Sequence, residues 1–271
     1  MKHAKDMETL KIRYMEYLKQ NPEELVIREN EEMVTLYHGT SSKYLPFILK
    51  EGLIPSEDTG TDNWSHVMKS MPNFTYLTTK WHILYAVNST VNAYEEDYGE
   101  GWSESSDFEE NVAEYPCYVK FEVPISHLIM DEDTFISEYL ENKVYGQSKS
   151  PLEEPLENLL PLFDAEQALK AYGTVAYRGK VLSEYIKGFG ILANKQFMAM
   201  AIMESDPYYQ DYIYWQKGKG LGTLSVNNVQ GLIDTLSLSK YYDLALLPKD
   251  KTVSGVKVNF KTGQIKLKFQ K

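Results

Sequence analysis

The residues best placed to do chemistry are His38, Gly39 and Thr40, which close the apolar run Leu36-Tyr37 and lead into Ser41-Ser42. A strand that stops at a histidine followed by glycine presents an imidazole at a sheet edge. The glycine, having no Cβ, leaves the neighbouring backbone amides open to a ligand. A ring nitrogen beside exposed main-chain polar groups is the chemistry of a pocket rim. His-Gly-Thr alone recurs by chance, so its weight comes from the order of elements around it. Tyr44 to Glu51 read as a short helix, stopped at Gly52 and released into extended chain by Pro55.

A second corner of the same kind comes later. Phe74-Thr75-Tyr76-Leu77 reads as a strand, and Trp81 to Tyr94 carries Ile83, Val87, Val91 and Tyr94 at helical spacing, with Thr79 as its expected cap. Two strand-to-helix corners therefore carry a histidine and two tyrosines, Tyr76 and Tyr85. Tyrosine is a common sheet-core residue in a chain with 21 of them, so Tyr76 and Tyr85 gain meaning only from their place at a corner.

The elements around these corners are legible in outline. Met1 to Gln20 reads as an amphipathic helix without the apolar core of a signal peptide, and Pro22 to Glu32 as a charged linker into a strand over Met33–Tyr37. Ser56 to Pro72 is expected as a loop, as is the run Glu95 to Glu114, which is acidic and has no lysine or arginine. That acidic run lacks the fixed spacing of a calcium loop. Tyr118 to Val123 alternates as a strand closed by Pro124, and Ile125 to Asp133 reads as extended chain running into a turn. A helix-rich insertion is expected over 138–172, densest from Leu152 to Tyr172. Val175 to Tyr177, interrupted at Gly179, and Val181 to Phe189 supply further strands. The Met-rich run Phe197 to Met203 reads as core.

Composition bounds the class. The length and apolar content suffice for a packed core. The single cysteine, Cys117, excludes an internal disulfide and a cysteine-based zinc cluster. No stretch is apolar enough to span a bilayer, which sets the expectation of a soluble, cytoplasmic protein with no membrane partner. The net charge of −11 is unevenly spread: residues 217–271 hold ten lysines against Asp234, Asp243 and Asp250. The last stretch, Val256 to Lys271, alternates apolar and basic residues about Thr262-Gly263. It reads as a β-hairpin with lysines on one face, either solvated or meeting phosphates.

The order strand, His38-Gly39-Thr40, helix, Gly52-Leu53-Ile54-Pro55 resembles the first motif of the ADP-ribosyltransferase superfamily. Tyr76-Leu77-Thr78-Thr79, followed by a helix carrying Tyr85, is similar to its second motif. The resemblance implies a His-Tyr-Glu set of His38, Tyr76 and Glu184. His38 would hydrogen-bond a ribose hydroxyl of NAD, and the Gly39 backbone would pair with the nicotinamide carboxamide. Thr40 would line the same site, and Tyr76 and Tyr85 would stack on the nicotinamide ring. For the third motif, Val181-Leu182-Ser183-Glu184-Tyr185-Ile186 is similar to the polymerase pattern Leu-Tyr-Asn-Glu-Tyr-Ile and makes Glu184 the acid. A second register compares Thr174 through Ile186 with the RNA 2′-phosphotransferase branch and puts Thr174 at the acid position. Leu182 stands where arginine-modifying toxins of the superfamily carry Gln or Glu, which makes arginine a poor candidate acceptor.

The expectation is an α+β protein with a split, mostly antiparallel ADP-ribosyltransferase-like core over 31–195, a helical N-terminal extension over 1–30 and a basic C-terminal extension over 196–271. The implied activity cleaves NAD as co-substrate, with no metal, and transfers ADP-ribose to a macromolecular acceptor; the lysine-rich tail favours RNA or DNA over protein. The rival readings are an RNA 2′-phosphotransferase, for which Arg178 is the sole arginine near the third motif, and a non-catalytic module that binds NAD or nucleic acid. No inhibitory protein partner is legible in the sequence.

Overall fold

Strands outnumber helices among the described residues. The computed structural model describes residues 32–55, 71, 73–98, 114–131, 165–192, 239–259 and 264–270, together with the helical residues Thr9, Ile12, Arg13 and Glu16 of the N-terminal run. In chain order the elements are β1 (Met33–Ser41), α1 (Leu45–Glu51), β2 (Phe74–Thr78), α2 (His82–Tyr98), β3 (Pro116–Pro124), β4 (Leu128–Met130), α3 (Ala165–Ala171), β5 (Thr174–Arg178), β6 (Ile186–Leu192), β7 (Ser239–Asp243), β8 (Thr252–Asn259) and β9 (Gln264–Gln270). The class is α+β with a mostly antiparallel sheet and few helices. Among the described residues no helix is long and apolar enough to cross a membrane.

The chain divides into two compact units. The first comprises Met1–Tyr37, Gly52–Trp81 and Glu122–Tyr185, with strand order β4-β5-β2-β1. In it β2 pairs antiparallel with β5 from Phe74↔Arg178 to Thr78↔Thr174, and β1 meets β2 at Tyr37↔Thr78. Both faces of β2 and β5 are largely buried, which is why their sequences read as nearly continuous apolar and Thr runs. Buried Tyr177 satisfies its hydroxyl with His127 Nδ1 at 2.6 Å, from a short 3-10 turn over Ile125–His127.

The second unit comprises His38–Glu51, His82–Phe121 and Ile186–Lys271, with strand order β1-β3-β6-β7 and a separate β8-β9 ribbon. Antiparallel β3–β6 and β6–β7 registers bury Val119, Phe121, Phe189, Ile191 and Leu192. Cys117 is also fully buried and free, and desolvation raises its thiol pKa, so it stays protonated and inert. The segment read as a C-terminal extension contributes β7 to this sheet, in register with β6 from Gly188↔Asp243 to Leu192↔Ser239.

Several local expectations change. The helix read to end at Tyr94 continues to Tyr98, so the acidic run does not begin as a loop at Glu95; no glycine or proline interrupts it before Gly99. At the far end of that run Glu114 is 8% exposed. Ile125 opens a 3-10 turn instead of extended chain, because its amide is held by the Glu32 carbonyl at 3.0 Å. Val181 to Phe189 is not one strand: Val181 bridges Leu53, a 3-10 turn covers Ser183–Tyr185, and β6 starts at Ile186. The expectations for Pro22–Glu31, 138–164, Phe197 to Met203 and the Thr262-Gly263 turn lie outside the described residues.

Candidate functional site

The His38 corner is built within the second unit. Beyond Thr40 the chain leaves β1 through a turn in which the Ser41 side chain accepts from the Lys43 amide (3.2 Å) and the Ser41 carbonyl from the Tyr44 amide (3.0 Å). Ser42 pins this turn to the segment before β3. Its amide donates to the Tyr115 carbonyl (2.8 Å), and its hydroxyl accepts from the Tyr115 amide (2.9 Å). α1 comes next and stops where the sequence predicts, with Gly52 at φ 86, a left-handed conformation that costs a glycine nothing.

Gly39 sits on the backbone of α2. A Cβ placed on it would overlap the His82 carbonyl oxygen and the Ala86 amide nitrogen, and would lie 2.7 Å from the Tyr85 carbonyl carbon. Only glycine lets β1 come this close to the helix. Gly39 therefore fixes the backbone of β1 against the turn of α2 that carries Tyr85. Strand alternation directs His38 and Thr40 to the face opposite the helix. Thr40 is 2% exposed, whereas His38 and Tyr85 are partly accessible.

His82 opens α2 in this same unit and was not singled out by sequence reasoning. Its ring meets Tyr118 edge-on at 4.8 Å, and burial lowers its pKa to about 4, so the imidazole is neutral at physiological pH. The one signal available was its place one turn before Tyr85.

Tyr76 and Glu184 belong to the first unit. Tyr76 lies in the middle of β2 opposite Ala176, partly buried, and its hydroxyl accepts from the Met71 amide at 3.1 Å. Glu184 projects from the 3-10 turn that precedes β6, is exposed, and is held at its base by the Leu53–Val181 bridge, whose two amide–carbonyl bonds are each 2.9 Å. Thr174, the alternative acid position, pairs with Thr78 and is 2% exposed, with its hydroxyl buried and without a hydrogen-bond partner among the described residues. Threonine has no titratable oxygen near neutral pH, and this one is enclosed. Among the described residues no group of His, Cys, Asp or Glu gathers as a metal site.

No protein-family model and no curated protein matches this chain. A solved structure titled EcPltA is similar over 61% of this chain and 79% of that one, at 13% identity and a TM-score of 0.29. A likeness of that size carries no argument about fold or activity.

The corner that ends β2 is built differently, within the first unit. The Thr78 hydroxyl donates to the Gly173 carbonyl at 2.7 Å and accepts from the amides of Lys80 (3.2 Å) and Trp81 (3.0 Å). It is Thr78, not the expected Thr79, that receives the amides leading into α2. Thr79 is exposed, and both its amide (2.9 Å) and its hydroxyl (3.3 Å) donate to Gly173. The Trp81 indole completes the corner by donating to the Tyr172 carbonyl at 2.7 Å.

Proposed function

We propose that the protein is an ADP-ribosyltransferase that cleaves NAD at its nicotinamide–ribose bond and passes ADP-ribose to a macromolecular acceptor. The observation that carries this reading is the seat of Gly39 on α2, which fixes the backbone of β1 against the turn that carries Tyr85. A pocket that must orient a flat amide ring beside a ribose needs such rigid placement of its polar groups.

In this reading NAD is a substrate. His38 orients the ribose through a hydroxyl, Gly39 supplies main-chain polar groups for the carboxamide, and Tyr85 of the same unit provides aromatic surface for the ring, a role the resemblance also gives to Tyr76. The departing nicotinamide takes the bond's electron pair and leaves positive charge on the anomeric carbon. A fixed carboxylate stabilises that charge as it develops, and Glu184 is the residue assigned this task. The acceptor's nucleophile then forms the new glycosidic bond and releases a proton. The exposure of Glu184 and the enclosure of Thr174 favour the register that makes Glu184 the acid.

Single-turnover nicotinamide release, with NAD affinity measured separately by calorimetry, tests the assignment. Glu184→Gln keeps the shape and removes the charge. Release should fall by about 10²–10³, with NAD affinity little changed, because the interaction belongs to the transition state. Near-normal release from this variant would remove Glu184 from the mechanism. NAD binding without release by the unaltered chain would instead identify a binding module. His38→Ala and Tyr76→Ala should each weaken NAD binding, and unchanged affinity in both would sink the pocket.

A further inference from the structure

The β8–β9 ribbon is sharply two-faced. Its register places Lys257 opposite Lys266, Gly255 opposite Lys268 and Asn259 opposite Gln264 on one face. Alternation puts Val256 with Leu267 and Val258 with Ile265 on the other. Val253 and Val258 are buried, and β8 packs beside α1 within the same unit, whereas Lys257, Lys266 and Lys268 are all exposed. The Lys268 stem crosses the ribbon over Gly255, 3.6 Å from where a Cβ of that glycine would stand.

We infer that this lysine face docks a nucleic-acid strand through its phosphates. Like charges directly opposite on neighbouring strands oppose pairing, and Lys257 and Lys266 stand so. Nothing in the ribbon relieves them: residues 251–271 hold six lysines and no acidic side chain, and among the described residues none of the three has an acidic partner. An arrangement that works against the ribbon's own stability is explained by an anion that meets both charges. The chain carries −11 overall, whereas residues 251–271 hold six lysines and no acidic side chain, so this face draws a polyanion more strongly than the chain's average surface.

The character of the face selects the polyanion. An interfacial membrane binder sinks its apolar face into the lipid, but here Val253 and Val258 of that face are buried where β8 packs beside α1. A protein partner is usually gripped by aromatic or apolar anchors, with lysine depleted, and the basic face has no such anchor. A phosphate backbone needs only positive point charges and polar groups, which the lysines, Asn259 and Gln264 supply. Under the transferase reading, the strand held here is the acceptor. The docking itself does not depend on that reading.

The test uses the full chain without NAD and a labelled 20-nucleotide single-stranded RNA, with the DNA of the same sequence in parallel. Affinity is followed against salt for the unaltered protein and for Lys257→Gln/Lys266→Gln/Lys268→Gln. Each phosphate neutralised contributes about −0.7 to the slope of log K against log salt, so the triple variant should lose roughly 2 from the slope and bind at least tenfold more weakly at low salt. Its melting temperature should hold or rise, since the like-charge pair is gone, and Lys266→Arg should keep the slope. An unchanged slope in the triple variant overturns the inference, as does absence of oligonucleotide binding. So does binding to phosphatidylserine vesicles that is as strong as RNA binding and lost in the same variant. Oligonucleotide binding without nicotinamide release would sink the transferase and leave the ribbon standing; release without such binding would do the reverse.

Discussion

At the end of β1 the chain turns by pressing a glycine onto the backbone of α2, while at the end of β2 it turns by converging hydroxyls and an indole on the carbonyls of Tyr172 and Gly173. The first corner depends on a missing atom, and the second on atoms that must be present. Steric corners fail when a side chain grows. Hydrogen-bonded corners fail when an oxygen is removed, because the amides and carbonyls left behind lose their partners.

The largest effect should come from Gly39→Ala. Both overlapping atoms belong to a helix backbone, which cannot step aside as a side chain can, so the variant should lose roughly 3 kcal/mol or more in urea unfolding. A loss under about 1 kcal/mol would mean that β1 and α2 are not in contact as described, and with it the fixing of β1 against the Tyr85 turn would go.

Much of this was legible in the sequence because it rests on local chemistry. Gly52 marked the stop of α1 and the alternation after Val256 marked a ribbon, both from neighbours within a few residues, whereas the strand read to stop at His38 runs on through Gly39 and Thr40 to Ser41. What could not be read depends on residues far apart. Thr78 outranks Thr79 because Gly173, some 95 residues away, supplies its carbonyl. β7 joins β6 across residues whose local pattern says nothing about pairing, and Thr174 is shown to be enclosed only by its register with Thr78. The union of Gly39 with α2 is likewise tertiary. Sequence said that glycine permits close approach, but not what approaches.

His82 supplies an intermediate effect and tests the environment behind Gly39. Its folded pKa of about 4 lies below the ordinary 6.5, so above pH 6.5 both states are neutral and the histidine contributes no pH dependence. As pH falls from 6.5 towards 4, the unfolded chain takes up a proton that the folded chain declines, and stability is lost across that window. Allowing for the water that reaches part of the ring, the loss should be on the order of 2 kcal/mol. Urea unfolding at pH 7.5 and 4.5 should show a smaller drop for His82→Gln by that amount, with the titration of carboxylates cancelling in the comparison. Equal drops would mean that His82 protonates freely and is not desolvated against Tyr118.

The smallest effect separates two adjacent threonines and tests the second corner directly. Thr78→Val keeps the shape of a fully buried side chain but removes the oxygen that donates to Gly173 and accepts from Lys80 and Trp81. The valine methyl leaves the Gly173 carbonyl with its remaining bonds from Thr79, so the main loss is the reception of two amides, which should cost about 1–2 kcal/mol. Thr79→Ala removes one long hydroxyl bond at an exposed position, while its amide bond to Gly173 survives, so its cost should stay within about 0.5 kcal/mol. A sequence-local cap at Thr79 predicts the reverse order, with Thr79→Ala costing about 1 kcal/mol and Thr78→Val little. Measured side by side by urea unfolding, the order of the two losses decides whether the corner is organised on Gly173 or on the helix end alone.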